Sequence, residues 1–185
     1  MNTVISLLLV LAGTTFLAGC ESQTNAGAHQ LPYRMKFDLA DVGADYEFQV
    51  DVKKPGMYAV SVTFYTRHLN EYSHFLDKDT TPAESAHLFK MMGSRFDPLT
   101  REWTDIGMPA TFRVQLIRDS DNHQLFDRVL TRQSTNGTFK GRTAQLVQHE
   151  LPPGTYVVRI SYLEGICALF PLKGVISFYN TLPPK

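Results

Sequence analysis

The sequence predicts an all-β protein: an antiparallel β-sandwich, either immunoglobulin-like or a jelly roll, with one short helix in a long inserted loop. Three observations support this fold class. First, apolar and polar residues alternate in several segments after residue 31. Second, Gly, Pro and Asx residues separate these segments. Third, one stretch, residues 67–109, lacks the alternation. With 43% hydrophobic and 19% charged residues, the chain has a globular composition. A closed barrel is the alternative arrangement of the same strands.

Eight strands follow from the alternation and its punctuation. In chain order they cover residues 33–39, 46–52, 58–64, 110–118, 125–131, 143–150, 155–162 and 174–179. Between the second and the third lies Lys53-Lys54-Pro55-Gly56, where Pro presets φ and Gly accepts a positive φ. These four residues are typical of a type II turn, so we expect the two strands to form an antiparallel hairpin.

A short motif occurs twice, each time at the start of a predicted strand. Pro55-Gly56-Met57-Tyr58 is echoed by Pro153-Gly154-Thr155-Tyr156, and an alternating strand follows each copy. The copies share the turn, the aromatic residue and the alternation. An old duplication and convergence on a good strand start both account for the echo.

One helix is predicted in the long insertion. Thr81-Pro82-Ala83-Glu84 places a capping hydroxyl, a proline at the first helical position and a glutamate three residues after the cap, and Gly93 provides the stop. The helix Pro82–Met92 carries apolar residues on one side, which we expect to pack across an open end of the sandwich. They are Ala86, Leu88, Phe89 and Met92.

The amino terminus has the pattern of an export signal. Val4 to Leu17 form an apolar run of about a dozen residues, too short to cross a bilayer. The following Leu17-Ala18-Gly19-Cys20 resembles the lipobox of bacterial lipoproteins, whereas Met1-Asn2-Thr3 departs from the usual signal by carrying no Lys or Arg. A buried amino-terminal helix or strand with an incidental cysteine is the alternative.

The resemblance to bacterial lipoproteins implies a domain organisation and a location. Residues 1–19 would be a signal peptide, Cys20 the lipidated first residue of a flexible tether over 20–30, and residues 31–185 the β-sandwich domain. The domain would then lie in the periplasm, anchored to a membrane through Cys20. Glu21, in place of the aspartate that retains lipoproteins in the inner membrane of enteric bacteria, favours the outer membrane.

The second cysteine is expected to be inert. If Cys20 is lipidated, Cys167 has no partner for an intrachain disulfide, since the sequence has two cysteines. Cys167 lies in the apolar run of residues 165–170, which predicts a buried thiol.

Two clusters of polar residues are candidate metal sites. His68, Glu71 and His74 share a helical sector but lack the spacing of zinc hydrolases, so solvated loop histidines are preferred. Asp119, Asp121 and Asn122 lack the following Gly and Glu of an EF-hand, so a plain Asx turn is preferred. The sequence therefore predicts no metal and no cofactor.

No catalytic residue is predicted either. The chain has no Gly-x-Ser-x-Gly motif, and the segment 137–141 is too short for a phosphate-binding loop, so it is interpreted as a hairpin loop. Eighteen basic residues balance eighteen acidic ones, which argues against nucleic acid as a partner.

These exclusions favour a non-catalytic binding module, with another protein as the expected partner. By analogy with small anchored lipoproteins paired with secreted toxins, an inhibitor or immunity protein is one concrete form. A carbohydrate-binding or envelope-structural lipoprotein that contacts glycan is the alternative, and a hydrolase with a dispersed site is a third class. The predicted hot spot is Trp103 beside Arg101, Glu102 and Asp105, unless Trp103 instead caps the core beneath the helix.

Overall fold

The computed structural model describes residues 27–66, 81–138 and 140–181. In these ranges the strands are β1 (Tyr33–Phe37), β2 (Asp45–Val52), β3 (Gly56–Tyr65), β4 (Ser94–Asp97), β5 (Glu102–Asp105), β6 (Ala110–Arg118), β7 (His123–Thr131), β8 (Thr135–Thr138), β9 (Gly141–Leu151), β10 (Gly154–Gly165) and β11 (Lys173–Asn180). The helix α1 spans Pro82–Met92. A 3-10 turn, Cys167–Leu169, connects β10 to β11.

Two antiparallel sheets enclose the core. The five-stranded sheet has the order β1-β11-β3-β9-β8, and the four-stranded sheet has the order β2-β10-β6-β7. Their inner faces bury large side chains from both sheets, including Phe48, Phe64, Phe112, Tyr162 and Phe178. The predicted fold class, an all-β sandwich with one short helix, is confirmed.

The predicted hairpin between β2 and β3 is wrong. β2 pairs with β10, where Val52 lies opposite Gly154, and β3 pairs with β9, where Gly56 lies opposite Leu151. Residues 53–55 therefore cross from one sheet to the other. Local turn chemistry was overridden because each strand buries more apolar surface against its distant partner strand and the opposing sheet than a two-stranded hairpin could provide.

The repeated motif performs the same structural role twice. The Tyr58 hydroxyl donates a hydrogen bond to the Lys54 carbonyl at 2.7 Å, and the Tyr156 hydroxyl donates one to the Pro152 carbonyl at 2.8 Å. Both rings are buried, and both follow a crossing between the sheets. Each is a tyrosine corner, which ties the start of a strand to the connection before it. We call this end of the sandwich the corner end.

The helix prediction is confirmed in its bounds and its cap. The Thr81 side chain accepts a hydrogen bond from the Glu84 amide at 3.3 Å, and the Glu84 carboxylate accepts one from the Thr81 amide at 2.7 Å. The predicted buried face is only partly right, because Ser85 is buried with Leu88 and Met92, whereas Ala86 and Phe89 are exposed.

The outer face of the four-stranded sheet carries a charged pair that makes stability depend on pH. Asp127 accepts two hydrogen bonds from Arg113, at 2.9 and 2.8 Å, and one from Gln115 at 3.0 Å. These bonds, first of all those from Arg113, lower the pKa of Asp127 from 3.8 to about 2. Because the pKa of Asp127 is lower in the folded state than its ordinary value, the ionised carboxylate adds to the free energy of unfolding. This contribution is complete above pH 3.8 and is lost as the pH falls toward 2.

We therefore expect Asp127→Asn to be less stable than the parent at neutral pH, with a difference that shrinks between pH 4 and pH 2. Urea unfolding at several pH values measures it. Asp45→Asn, which removes a carboxylate with no side-chain partner in the described residues, is the matched control. If the difference in free energy of unfolding between Asp127→Asn and the parent stayed constant down to pH 2, the lowered pKa of Asp127 would be contradicted.

Candidate binding site

A buried arginine holds α1 against the five-stranded sheet. Arg142 Nη2 donates to the carbonyls of Met92 at 3.3 Å and Thr135 at 2.8 Å, while its Nε donates to Thr135 Oγ1 at 3.3 Å. Its guanidinium also lies 4.8 Å from the centre of the Phe89 ring. Burial lowers the pKa of Arg142, and the nearby Asp105 opposes that shift. The carboxyl end of α1 is thereby joined to β8 and β9, at the end opposite the corners, which we call the far end.

The hairpin β4–β5 extends directly from this helix. The Ile106 amide bonds to the Gly93 carbonyl at 3.0 Å and closes its base. At the tip, the Asp97 carboxylate accepts a hydrogen bond from the Leu99 amide at 2.8 Å. The Asp97 backbone carbonyl accepts a second one from the Arg101 amide, also at 2.8 Å. Arg101 takes a left-handed conformation with φ of 58°. The tip is thus an ordered turn, and β4 and β5 lie within residues 67–109, where no alternation predicted a strand.

Three large apolar side chains are exposed on this hairpin. Phe96 and Trp103 face each other across the two strands with ring centroids 5.2 Å apart, and Leu99 stands in the turn. The exposed fractions are 45% for Phe96, 92% for Leu99 and 70% for Trp103. Trp103 is therefore not a core cap. Leu88, Met92 and Met108 fill the core at this end instead.

The other predicted site residues divide into two roles. Arg101 and Glu102 are exposed beside Trp103. Asp105 is engaged within the fold, because its carboxylate accepts hydrogen bonds from the Ser134 hydroxyl and, at 2.9 Å, from the Gly107 amide. These two bonds lower the pKa of Asp105. Asp105 fixes the base of the hairpin, and the free surface consists of Trp103 with Arg101 and Glu102.

A groove lies at the base of the hairpin. It comprises two adjoining cavities of about 490 and about 340 Å3, which share Pro109, Arg132 and Ile166. The larger is also lined by His87, Lys90, Met91, Ile106 and Ala168, and the smaller by Ala110, Thr111, Thr131, Glu164 and Gly165. No sequence pattern predicts this groove, because its residues come from distant segments that share no motif.

Close backbone contact supports Arg132, which lines the groove. Gly107 has φ of +70°, and a Cβ at this position would collide with the Arg132 carbonyl oxygen. The Met108 amide bonds to the Gln133 carbonyl at 2.9 Å beside it. Glycine is required here both by its positive φ and by this approach. The Arg132 backbone is also in the left-handed region, with φ of 49°.

The prediction of a buried Cys167 is wrong. Cys167 is exposed, whereas Leu169, two residues later, is fully buried. The apolar run forms a 3-10 turn rather than a continuous buried strand, so its side chains point in different directions. Ile166 is exposed to 47% and lines the groove.

The metal candidates have different outcomes. His68, Glu71 and His74 lie outside the described residues. Asp121 accepts the His123 amide at 3.2 Å, and Asn122 has φ of 54°, which confirms the Asx turn. Within 27–66, 81–138 and 140–181 no group of three His, Cys, Asp or Glu side chains could hold a metal ion. The segment 137–141 joins β8 to β9, so the hairpin interpretation is confirmed.

None of the helical structure in the described ranges is long and apolar enough to span a bilayer. A solved structure shares the fold. A protein from Sulfurospirillum deleyianum has a TM-score of 0.59 at 15% identity over 82% of this chain and 98% of its own. The pre-peptidase C-terminal domain of a Bacillus anthracis collagenase has a TM-score of 0.35 at 13% identity, over 85% of this chain and 94% of its own.

No curated protein matches the chain. A family model described as a domain of unknown function, DUF5625, matches residues 34–180. That range begins in β1 and ends with β11, so it includes both sheets, the helix and the hairpin. The chain therefore belongs to the DUF5625 family.

Proposed function

We propose that this chain is a non-catalytic binding module and that the hairpin β4–β5 contacts a protein partner. The observation that carries the proposal is the exposure of Phe96, Leu99 and Trp103 on one ordered hairpin. Large apolar side chains gathered on a surface are typical of interaction sites, and tryptophan is among the residues that contribute most to binding.

The hairpin is well suited to binding because it is ordered in advance. The Asp97 turn and the bond between Ile106 and Gly93 hold both ends of the hairpin. Fewer degrees of freedom are then lost when a partner binds, which favours affinity. Arg101 and Glu102 provide a charged rim beside Trp103, and such rims contribute to specificity and association rate.

The location of the module is part of the proposal. Residues 1–19 are a signal peptide, and Cys20 carries a lipid that holds the domain on the periplasmic side of the outer membrane. The chain joins the sandwich where His29 pairs with Gln49 and Asp51, near the corner end of β2. The twelve residues of β10 run from the corner end to the far end, about 40 Å. The hairpin is thus remote from the point where the tether enters, which supports a role in contacting a partner in the periplasm.

A periplasmic protein partner fits an inhibitor or immunity role. Binding of glycan is the alternative, since an exposed tryptophan also stacks on sugars. The Phe96 and Trp103 rings are inclined by 49°, so they do not form one flat platform. This geometry supports the protein partner.

Crosslinking from the hairpin tip tests the proposal. A photoreactive amino acid replaces Leu99 in the full chain, and living cells are irradiated. We expect one discrete crosslinked protein species. The matched control carries the same group at Val129, which is 57% exposed on β7. Identical products from both positions would contradict the proposal, and crosslinks to glycan alone would favour the alternative.

The anchor has its own test. Replacing Cys20 by Ala removes the thiol that would carry the lipid, and each buried methylene of the lipid contributes about 0.8 kcal/mol to membrane binding. We expect Cys20→Ala either to be released from membranes or to remain unprocessed, as shown by cell fractionation and intact mass. Cys167→Ala is the control and should stay membrane-bound. A mature protein with an unmodified Cys20 would contradict the anchor.

A further inference from the structure

We infer that the groove at the base of the hairpin binds an anionic amphiphile, a molecule with an apolar chain and one carboxylate or phosphate head. The inference does not depend on the proposed protein partner. It rests on the shape of the groove, on the charges around it and on the backbone of Arg132.

The lining of the larger cavity is mostly apolar. Met91, Ile106, Pro109, Ile166 and Ala168 come from α1 and from the segments that follow β5 and β10. A volume of about 490 Å3 falls within the range of small-molecule sites. The second cavity, of about 340 Å3, adjoins it at Pro109, Arg132 and Ile166, so the two together offer more room for a chain than either alone.

The charges favour an anionic head. Lys90 and Arg132 are cationic and line the larger cavity with His87, and within the described ranges the side chains of these three residues make no hydrogen bond or ion pair. The groove has one carboxylate, Glu164, in the smaller cavity, where it accepts a hydrogen bond from Thr111 at 3.0 Å.

Three other arginines of the described residues form ion pairs. Arg113, Arg118 and Arg159 contact Asp127, Asp121 and Glu47 respectively. Arg132 forms no ion pair, like Arg34, Arg95 and Arg101, but of these four it alone lines the two cavities. A bound carboxylate or phosphate would supply the missing anion, and guanidinium groups bind such heads through two parallel hydrogen bonds.

The backbone of Arg132 gives a way to separate its effect on binding from its effect on stability. The residue has φ of 49°, a left-handed conformation that glycine adopts at lower energy. Strained residues of this kind are concentrated at functional sites. Arg132→Gly would remove the backbone strain and also remove the cation. We therefore expect the stability to hold or rise while the affinity for an anion falls.

Calorimetric titration of residues 21–185 tests the inference. This fragment contains both sheets, the helix and the core of the described residues, and it lacks Cys20, the residue proposed to carry the lipid. The probes share one chain and differ in head: dodecanoate and dodecyl phosphate are anionic, dodecyl maltoside is neutral and dodecyltrimethylammonium is cationic. All are used below their micelle concentrations. We expect one anionic probe per chain, bound at least tenfold more tightly than the neutral or cationic ones.

Variants then locate the site. We expect Arg132→Gly and Lys90→Ala each to weaken binding of the anionic probe about tenfold, and the melting temperature of Arg132→Gly to stay the same or rise. Lys36→Ala, which removes an exposed cation on β1, is the matched control and should bind normally. Trp103→Ala should also bind normally, which separates this site from the hairpin surface.

Each outcome is decisive. A preference for dodecanoate identifies a fatty-acid-like ligand, and a preference for dodecyl phosphate identifies a phospholipid-like one. Equal binding of all four heads, or normal binding by Arg132→Gly, would overturn the inference. Binding of an acidic apolar peptide without binding of either anionic probe would also overturn it and would assign the groove to a protein segment.

Discussion

Trp103→Ala is expected to weaken binding of the protein partner about thirtyfold and to leave the melting temperature nearly unchanged. A central aromatic residue of an interface commonly contributes about 2 kcal/mol or more, and each 1.4 kcal/mol is a factor of about ten in affinity. Stability should hardly change because Trp103 is 70% exposed and its ring contact is with Phe96, itself 45% exposed. The partner identified by crosslinking at Leu99 is the ligand for this measurement.

Val129→Ala is the matched control, since Val129 is also exposed on a strand but lies away from the hairpin, on β7. It should bind the partner like the parent. Trp103→Phe should retain part of the affinity because it keeps an aromatic ring. Unchanged affinity in Trp103→Ala would show that the hairpin is not the interface. A melting temperature lower by several degrees would show that Trp103 supports the fold.

Arg142→Ala is expected to lower the free energy of unfolding by about 3 kcal/mol. The substitution leaves the Met92 and Thr135 carbonyls without the guanidinium donors and removes the contact with Phe89. Buried groups that lose a charged hydrogen-bond partner account for some of the largest effects of single substitutions. For a domain of this size, we expect the melting temperature to fall by about 10 °C.

Two variants make the Arg142 measurement specific. Arg159→Ala removes an exposed arginine that pairs with Glu47, and surface pairs contribute about 1 kcal/mol or less. Arg142→Lys keeps the charge but cannot reproduce the planar fork, so we expect an intermediate loss. A loss of stability in Arg142→Ala no greater than in Arg159→Ala would contradict the structural role. Because α1 leads into the hairpin, we also expect Arg142→Ala to weaken binding of the partner.

Features governed by neighbouring residues could be predicted from the sequence by itself. The capping box of Thr81 and Glu84 and the stop at Gly93 set the bounds of α1, because each involves contacts within a few residues. Alternation located eight strands, since its period of two reflects which side chains face the core. The sandwich class follows from these strands.

Other features were decided only by the tertiary structure, because they depend on residues far apart in the chain. The hairpin prediction for residues 46–64 failed since β2 pairs with β10 and β3 with β9, across about a hundred residues. Composition alone could not show that Cys167 is exposed, because a 3-10 turn sets its direction.

The candidate site shows the same division. Trp103 was identified as a candidate by its residue type, but its exposure depends on Leu88, Met92 and Met108 filling the core in its place. The groove around Arg132 joins segments from four parts of the chain, so no local pattern could reveal it. Sequence determines local backbone geometry through nearby contacts, whereas exposure and cavities arise only when distant strands pack together.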